Sequence, residues 1–321
     1  MVVRDRGDWA GQSWPRWTDL SWVRARLAAG ADPDRGGRLW EPPLHDAAEF
    51  GTPDVVAELA ARVSDVDTLH AGRTALWLAV YRGRPDNARA LVAAGADPWR
   101  PMMSGWSPAR LSLAGPIPDL FAARPGAPGL TPPEAAAATE ARRLTGVLGT
   151  FHYEGLGIAC VAGIDVGEAA RRLGASPVEK DVAEFLDEEV SDFDDLTVVG
   201  ATDVPGGVVL TQPWGYAPNM PGVSGRLSAG TTCYAMYANP KSGNQGSILV
   251  DGVVEGWDLH PGGHPGGADP PELVLASYLY QGHAVAYCCA YAGLRLADRR
   301  PVTGPSDVWL RLPERDWWRW P

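Results

Sequence analysis

One short frame occurs twice between Pro43 and Asp97, and a chain that repeats itself at this spacing has few folds open to it. The first copy reads Pro43-Leu44-His45-Asp46-Ala47-Ala48-Glu49-Phe50-Gly51. In the second, Leu44 and Gly51 return as Leu76 and Gly83, 32 residues on, within Gly72-Arg73-Thr74-Ala75-Leu76-Trp77-Leu78-Ala79 and Tyr81-Arg82-Gly83. Gly95-Ala96-Asp97-Pro98 restates Gly30-Ala31-Asp32-Pro33 at 65 residues, two periods. Such a period marks a unit that cannot bury its apolar face alone, so copies must stack. Val55, Val56 and Leu59, then Ala88, Leu91 and Val92, recur at helical spacing. The small Ala47, Ala48 and Ala79 fit a close approach of two helices within a unit. Gly51 and Gly83 are expected to end the first helix of each pair in the left-handed conformation.

A Pro-Leu-His-x-Ala signature at roughly 33 residues resembles the ankyrin repeat family. The resemblance covers about residues 20–115. It begins with a half repeat around Leu20, Val23 and Leu27 and ends in a degraded unit at Gly105-Trp106-Ser107-Pro108-Ala109. Ala75 and Trp77 depart from the family's usual Pro and His, so the third repeat must rebuild its first turn. The resemblance implies a binding surface for another protein. Its frame puts Arg38, Leu39, Glu41, Glu49, Phe50, His70, Arg73, Tyr81, Arg82, Met103 and Trp106 on the concave face, with Tyr81, Arg82 and Trp106 at the centre. It also implies a structural role for His45, which ties the turn before its helix.

With 321 residues, 45% hydrophobic and 21% charged, the chain is long enough for two globular domains. A formal charge of −11 argues against nucleic acid or an anionic membrane as partner and favours a basic protein. No signal-peptide core and no apolar run of about 18 residues is present, which points to the cytoplasm. Cys160, Cys233, Cys288 and Cys289 form no Cys-x-x-Cys pair, so neither structural zinc nor a disulfide framework is expected. Arginine-rich, Ala-, Gly- and Pro-rich usage points to a high-GC bacterial genome.

The fold expected is α+β and multidomain. A capping arm (1–19) carries Trp9, Trp14 and Trp17. An all-α repeat region (20–115) and a Pro/Gly linker with a bridging helix (116–145) follow. Next comes a mainly antiparallel α+β domain with helices on one face (146–296), then a Trp-rich tail (297–321) that docks back on the fold. Strand signals lie at Ile158–Ala162, Thr197–Val199, Val208–Thr211, Thr231–Tyr237 and Ser247–Val250, and Asp251-Gly252 is a hairpin turn. The order of these elements, with the Ala170–Ala175 helix end and the Leu227-Ser228 step, resembles an uncharacterised α+β domain family of actinobacterial proteins. That resemblance implies no activity.

Chemistry is hard to find. There is no P-loop and no dinucleotide fingerprint. Gly222-Val223-Ser224-Gly225 only partly matches a nucleophile elbow. Asp258, His260 and His264 have the composition of a metal site, but Pro261-Gly262-Gly263 forbids the helix that would aim both rings at one ion. No metal and no cofactor are expected. Nine acidic residues crowd Glu179–Asp195, and Glu184, Asp187 and Glu188 are candidates for docking a basic partner. The expectation is a non-enzymatic cytosolic binder, by analogy a toxin-neutralising immunity protein. The alternative is an enzyme or ligand-binding domain with a pocket lined by His152, Cys233 and His260.

Overall fold

The computed structural model describes residues 9, 13–36, 41–123, 126, 129–179, 197–258, 263, 265–266 and 268–321. The chain forms two compact units. One is residues 1–138 with 265–278; the other is residues 139–264 with 279–321.

The first unit is a stack of helix pairs: α1 (Leu20–Ala28), α2 (Pro43–Phe50), α3 (Pro53–Ala60), α4 (Ala75–Tyr81), α5 (Pro85–Ala93) and α6 (Pro108–Ala114). Proline opens α2, α3, α5 and α6, where its missing N–H would have no helical partner anyway. Where proline is absent, in α4, the Thr74 hydroxyl accepts from the Trp77 amide at 3.1 Å. This is how the third repeat rebuilds its turn. The helices form two layers: α2 packs on α4 and α4 on α6, while α1 packs on α3 and α3 on α5. Beyond the second helix of each pair, an aspartate stitches one repeat to the next. Asp34 accepts from the Ser64 amide, and one repeat later Asp67 accepts from the Asp97 amide, both at 2.9 Å.

The glycines that end the first helices differ. Gly83 is left-handed (φ +62°) as expected, but Gly51 is extended (φ −88°, ψ −173°). Gly51 is needed for space, because a Cβ there would lie 2.6 Å from the Ala47 carbonyl oxygen and 2.8 Å from that of Trp17. At the N-terminal edge Trp9 and Trp17 are buried. Trp9, Trp17 and Trp22 pack on one another with ring centroids 5.5–5.9 Å apart, and Trp14 stacks on Phe50. These rings cover the first helix layer.

The second unit is built on one eight-stranded sheet, with every described pairing antiparallel. Its strands are β1 (Gly157–Ala162), β2 (Ser176–Val178), β3 (Val198–Val204), β4 (Gly207–Gln212), β5 (Thr232–Asn239), β6 (Gly243–Val250), β7 (Val253–Asp258) and β8 (Val308–Arg311), in the order 2-8-3-4-1-5-6-7. Asp251 and Gly252 both take positive φ in the β6–β7 hairpin, as its sequence requires. Of the stretch read as tail, Val308–Arg311 is an interior strand between β2 and β3. The remaining helices are α7 (Pro132–Leu148), α8 (Val166–Leu173), α9 (Pro221–Leu227), α10 (Pro271–Leu279), α11 (Ala284–Tyr291) and α12 (Arg300–Thr303).

Helices cover both faces of the sheet, not one as expected. On one side Ala159, Val161, Cys233, Ala235 and Leu249 join Leu173 of α8 and Val223 and Leu227 of α9 in a core. On the other, Cys160 meets Cys289 (sulfurs 3.6 Å apart), Met236 meets Cys288, and Tyr234 meets Tyr287, all through α11. The signal for this was present in the strands. Ile158–Val161 and Val208–Leu210 are unbroken apolar runs, which a sheet needs only when both faces are buried.

Candidate functional site

The third repeat begins with a turn ahead of its first helix, α4. The described turn of the third repeat is a hairpin in which His70 and Arg73 exchange both backbone hydrogen bonds at 2.9 Å. Ala71 (φ +47°) and Gly72 (φ +76°) sit at its tip. Leu69 beside it is 47% exposed, a large apolar side chain on a rigid support. His70 is also exposed. Arg73 reaches Glu41 of the preceding repeat at 3.6 Å. His45 pins this hairpin from below. Its ring is buried, and Nε2 lies 3.1 Å from the Arg73 carbonyl oxygen, to which it donates. Burial lowers the His45 pKa, and the Arg73 carbonyl opposes that shift only in part. His45 is therefore a neutral tether between two repeats rather than a tie within its own turn.

The other expected partner-binding residues separate into groups. Arg38 and Leu39 lie outside the described residues, as do Glu184, Asp187 and Glu188. Arg82 is exposed and ion-paired with the almost buried Glu49. Phe50 is half-buried under Trp14. Tyr81, Met103 and Trp106 are buried, contrary to expectation, at 1%, 7% and 0% exposure. They cannot form the centre of an open binding face.

What covers them belongs to the same unit. Trp106 donates its indole N–H to the Pro271 carbonyl at 2.9 Å, and Ser104 donates to the Asp269 carbonyl. Tyr278, near the end of α10, packs on Tyr81 with ring centroids 5.8 Å apart. It also comes so close to Gly115 that any side chain there would overlap its hydroxyl. On its other side Trp106 lies under the Arg110 guanidinium at 4.3 Å, which is itself held by Glu134 at 2.7 Å. The last turn and the first-helix layer at that end are thus closed by residues 269–278. Sequence spacing alone could not reveal a covering segment some 165 positions away.

Of the groups considered for catalysis, those among the described residues are placed as follows. Ser224 is fully buried in α9, and its hydroxyl donates to the Met220 carbonyl. The glycines around it serve the C-terminal segment. Gly222 donates to the Trp317 carbonyl at 2.8 Å, and a Cβ there would lie 2.9 Å from the Arg319 and Trp317 oxygens. Cys233 is fully buried, and burial pushes its thiol up to about 12. His152 is largely exposed, and His260 and His264 lie outside the described residues. The His152–Cys233–His260 pocket is therefore not open at Cys233. Among the described residues no group of His, Cys, Asp and Glu could hold a metal. No described helix is long and apolar enough to cross a membrane.

Residues 19–102 match the family model for ankyrin repeats, in three copies, and the rest of the chain matches no family model. No curated protein matches the chain. The chain carries ankyrin repeats over residues 19–102, and these repeats are a protein–protein interaction module.

Proposed function

We propose that the chain is a non-enzymatic binder that recognises another protein at the turn side of its middle repeats, through Glu41, Leu69, His70 and Arg73. The observation that carries this reading is Leu69, exposed beside a hairpin fixed from both sides by backbone hydrogen bonds and by His45. A rigid apolar anchor flanked by one cation and one anion costs little conformational entropy on binding, and arginine, here Arg73, is among the side chains enriched at interface hot spots. Arg82 and Phe50 extend the surface. The charge of −11 favours a basic partner and an association rate that falls with added salt.

Site-specific photo-crosslinking in the source cells tests the reading. A photoreactive residue at position 70 should give one discrete adduct, and one at Asp54 in α3 should give none. In binding assays with the adduct partner, Leu69→Asp and Arg73→Ala should each weaken affinity about tenfold or more with the fold intact. Equal adducts at both positions, or full binding by both variants, would exclude the turn side as the interface.

A further inference from the structure

A cavity of about 730 Å³ opens in the second unit between α8, α9, the β6–β7 hairpin and the last two residues. Arg172, Arg226, Gly225, Val254 and Trp320 are among the residues that line it. Two guanidinium groups thus share one cavity, and no carboxylate side chain is among the residues that line it. Arg172 is set in place: its Nε donates to Glu168 and one Nη to the Leu227 carbonyl, both at 2.7 Å. Arg226 is different. Its Nε is buried without a hydrogen-bond partner, and among the described residues the side chain has no ion pair. Elsewhere arginines of this chain, including Arg24, Arg62, Arg73, Arg110, Arg143 and Arg300, find carboxylates.

The nearby carboxylates are already committed. Glu168 is shared between Arg171 and Arg172. Asp251, at the hairpin tip, accepts from the Gly230 amide at 2.7 Å. The rest of the lining is apolar and includes one flat ring. Val254 belongs to the core beneath, and Trp320 is held against Gly225, where a Cβ would lie 3.4 Å from the indole. Two arginines and an indole in one cavity suit a molecule with an anionic end and a planar ring. The planar fork of arginine matches a phosphate or carboxylate with two parallel hydrogen bonds, and an indole takes the face of a heterocycle.

We propose that this cavity binds a small ring-bearing phosphate of the mononucleotide class, its phosphate on Arg226 and Arg172 and its ring on Trp320. The volume lies within the range of ordinary small-ligand sites. The inference stands apart from partner binding by the repeats, which involves none of these residues.

Calorimetric titration of the full chain with the four ribonucleoside 5′-monophosphates, and separately with inorganic phosphate, tests it. At least one nucleotide should bind one to one and more tightly than phosphate. Arg226→Gln should lower that affinity about tenfold or more, and Trp320→Ala should erase most of the advantage over phosphate. Lys241→Gln, a surface change at the β5–β6 turn, should change nothing. Near-ultraviolet circular dichroism of each variant confirms that the fold is kept. Arg172→Gln is the less clean probe, because Arg172 also ties α8 to α9. The assignment is overturned if no nucleotide binds, or if folded Arg226→Gln binds like the parent. It is likewise overturned if phosphate binds as tightly as every nucleotide, which would leave Trp320 no role.

Discussion

At the scale of single residues, His45 links repeat signature, packing and pH response. Its ring is buried beside His70, Arg73 and Glu41, and its pKa is lowered chiefly by burial. The native state then binds a proton less readily than the unfolded chain. Stability is therefore fully present above the ordinary histidine pKa of about 6.5 and falls as pH drops from there toward the lowered native value. Asp67 acts in the opposite sense, because burial raises its pKa, but its window lies in the carboxylate range below that of His45. We expect the melting temperature to fall between pH 7 and pH 5, and His45→Gln to flatten that slope while lowering stability at pH 7 by about 1–3 kcal/mol. Thermal melts of both proteins across that range decide it. A slope unchanged by the substitution would place the titrating group elsewhere.

At the scale of elements, legibility followed period and turn chemistry. The helix pairs α2–α3 and α4–α5 were readable because Pro, Ala and Gly recur in one frame, and the β6–β7 turn because Asp-Gly specifies positive φ twice. The short strands β2 and β8 were not read. Three and four residues carry no periodic signal, and Pro177 in β2 argues against a strand unless it lies at an edge, which it does. The buried state of Tyr81, Met103 and Trp106 was equally invisible, since repeat position gives direction and not what stands in front. The Gly222–Gly225 pair was noticed for the wrong chemistry. Gly222 lets the backbone of Trp317–Arg319 lie directly on α9, and Gly225 makes room for Trp320 and Pro321. Gly222→Ala should therefore dislodge this segment and destabilise the second unit by about 1–3 kcal/mol. Amide exchange should show the loss of protection concentrated at residues 317–321 and α9. A variant with unchanged exchange there would refute the close approach.

At the scale of the whole molecule, the path of the chain matters more than the count of repeats. The first unit is made from two stretches, residues 1–138 and 265–278, separated in sequence by most of the second. Among the described residues no helix stands between α6 and α7 to complete the last pair, and an open end of a stack needs a cap. The second stretch supplies it, with Tyr278 on Tyr81 and the Pro271 carbonyl on the Trp106 indole. Without that stretch Trp106 and Tyr81 lose part of their cover, and the indole N–H loses its acceptor. A large apolar surface then faces water at about 25 cal/mol per Å². The fragment 13–138 should therefore melt lower than the same repeats in the full chain and bind a hydrophobic dye. A synthetic peptide of residues 265–279, added in trans, should raise the melting temperature and quench the dye, with an effect that saturates as a binding isotherm. The same peptide carrying Tyr278→Ala should be markedly weaker. If the fragment is as stable as the full-length repeats, or if both peptides act alike, the array is self-sufficient and the 269–278 contact is incidental to its stability.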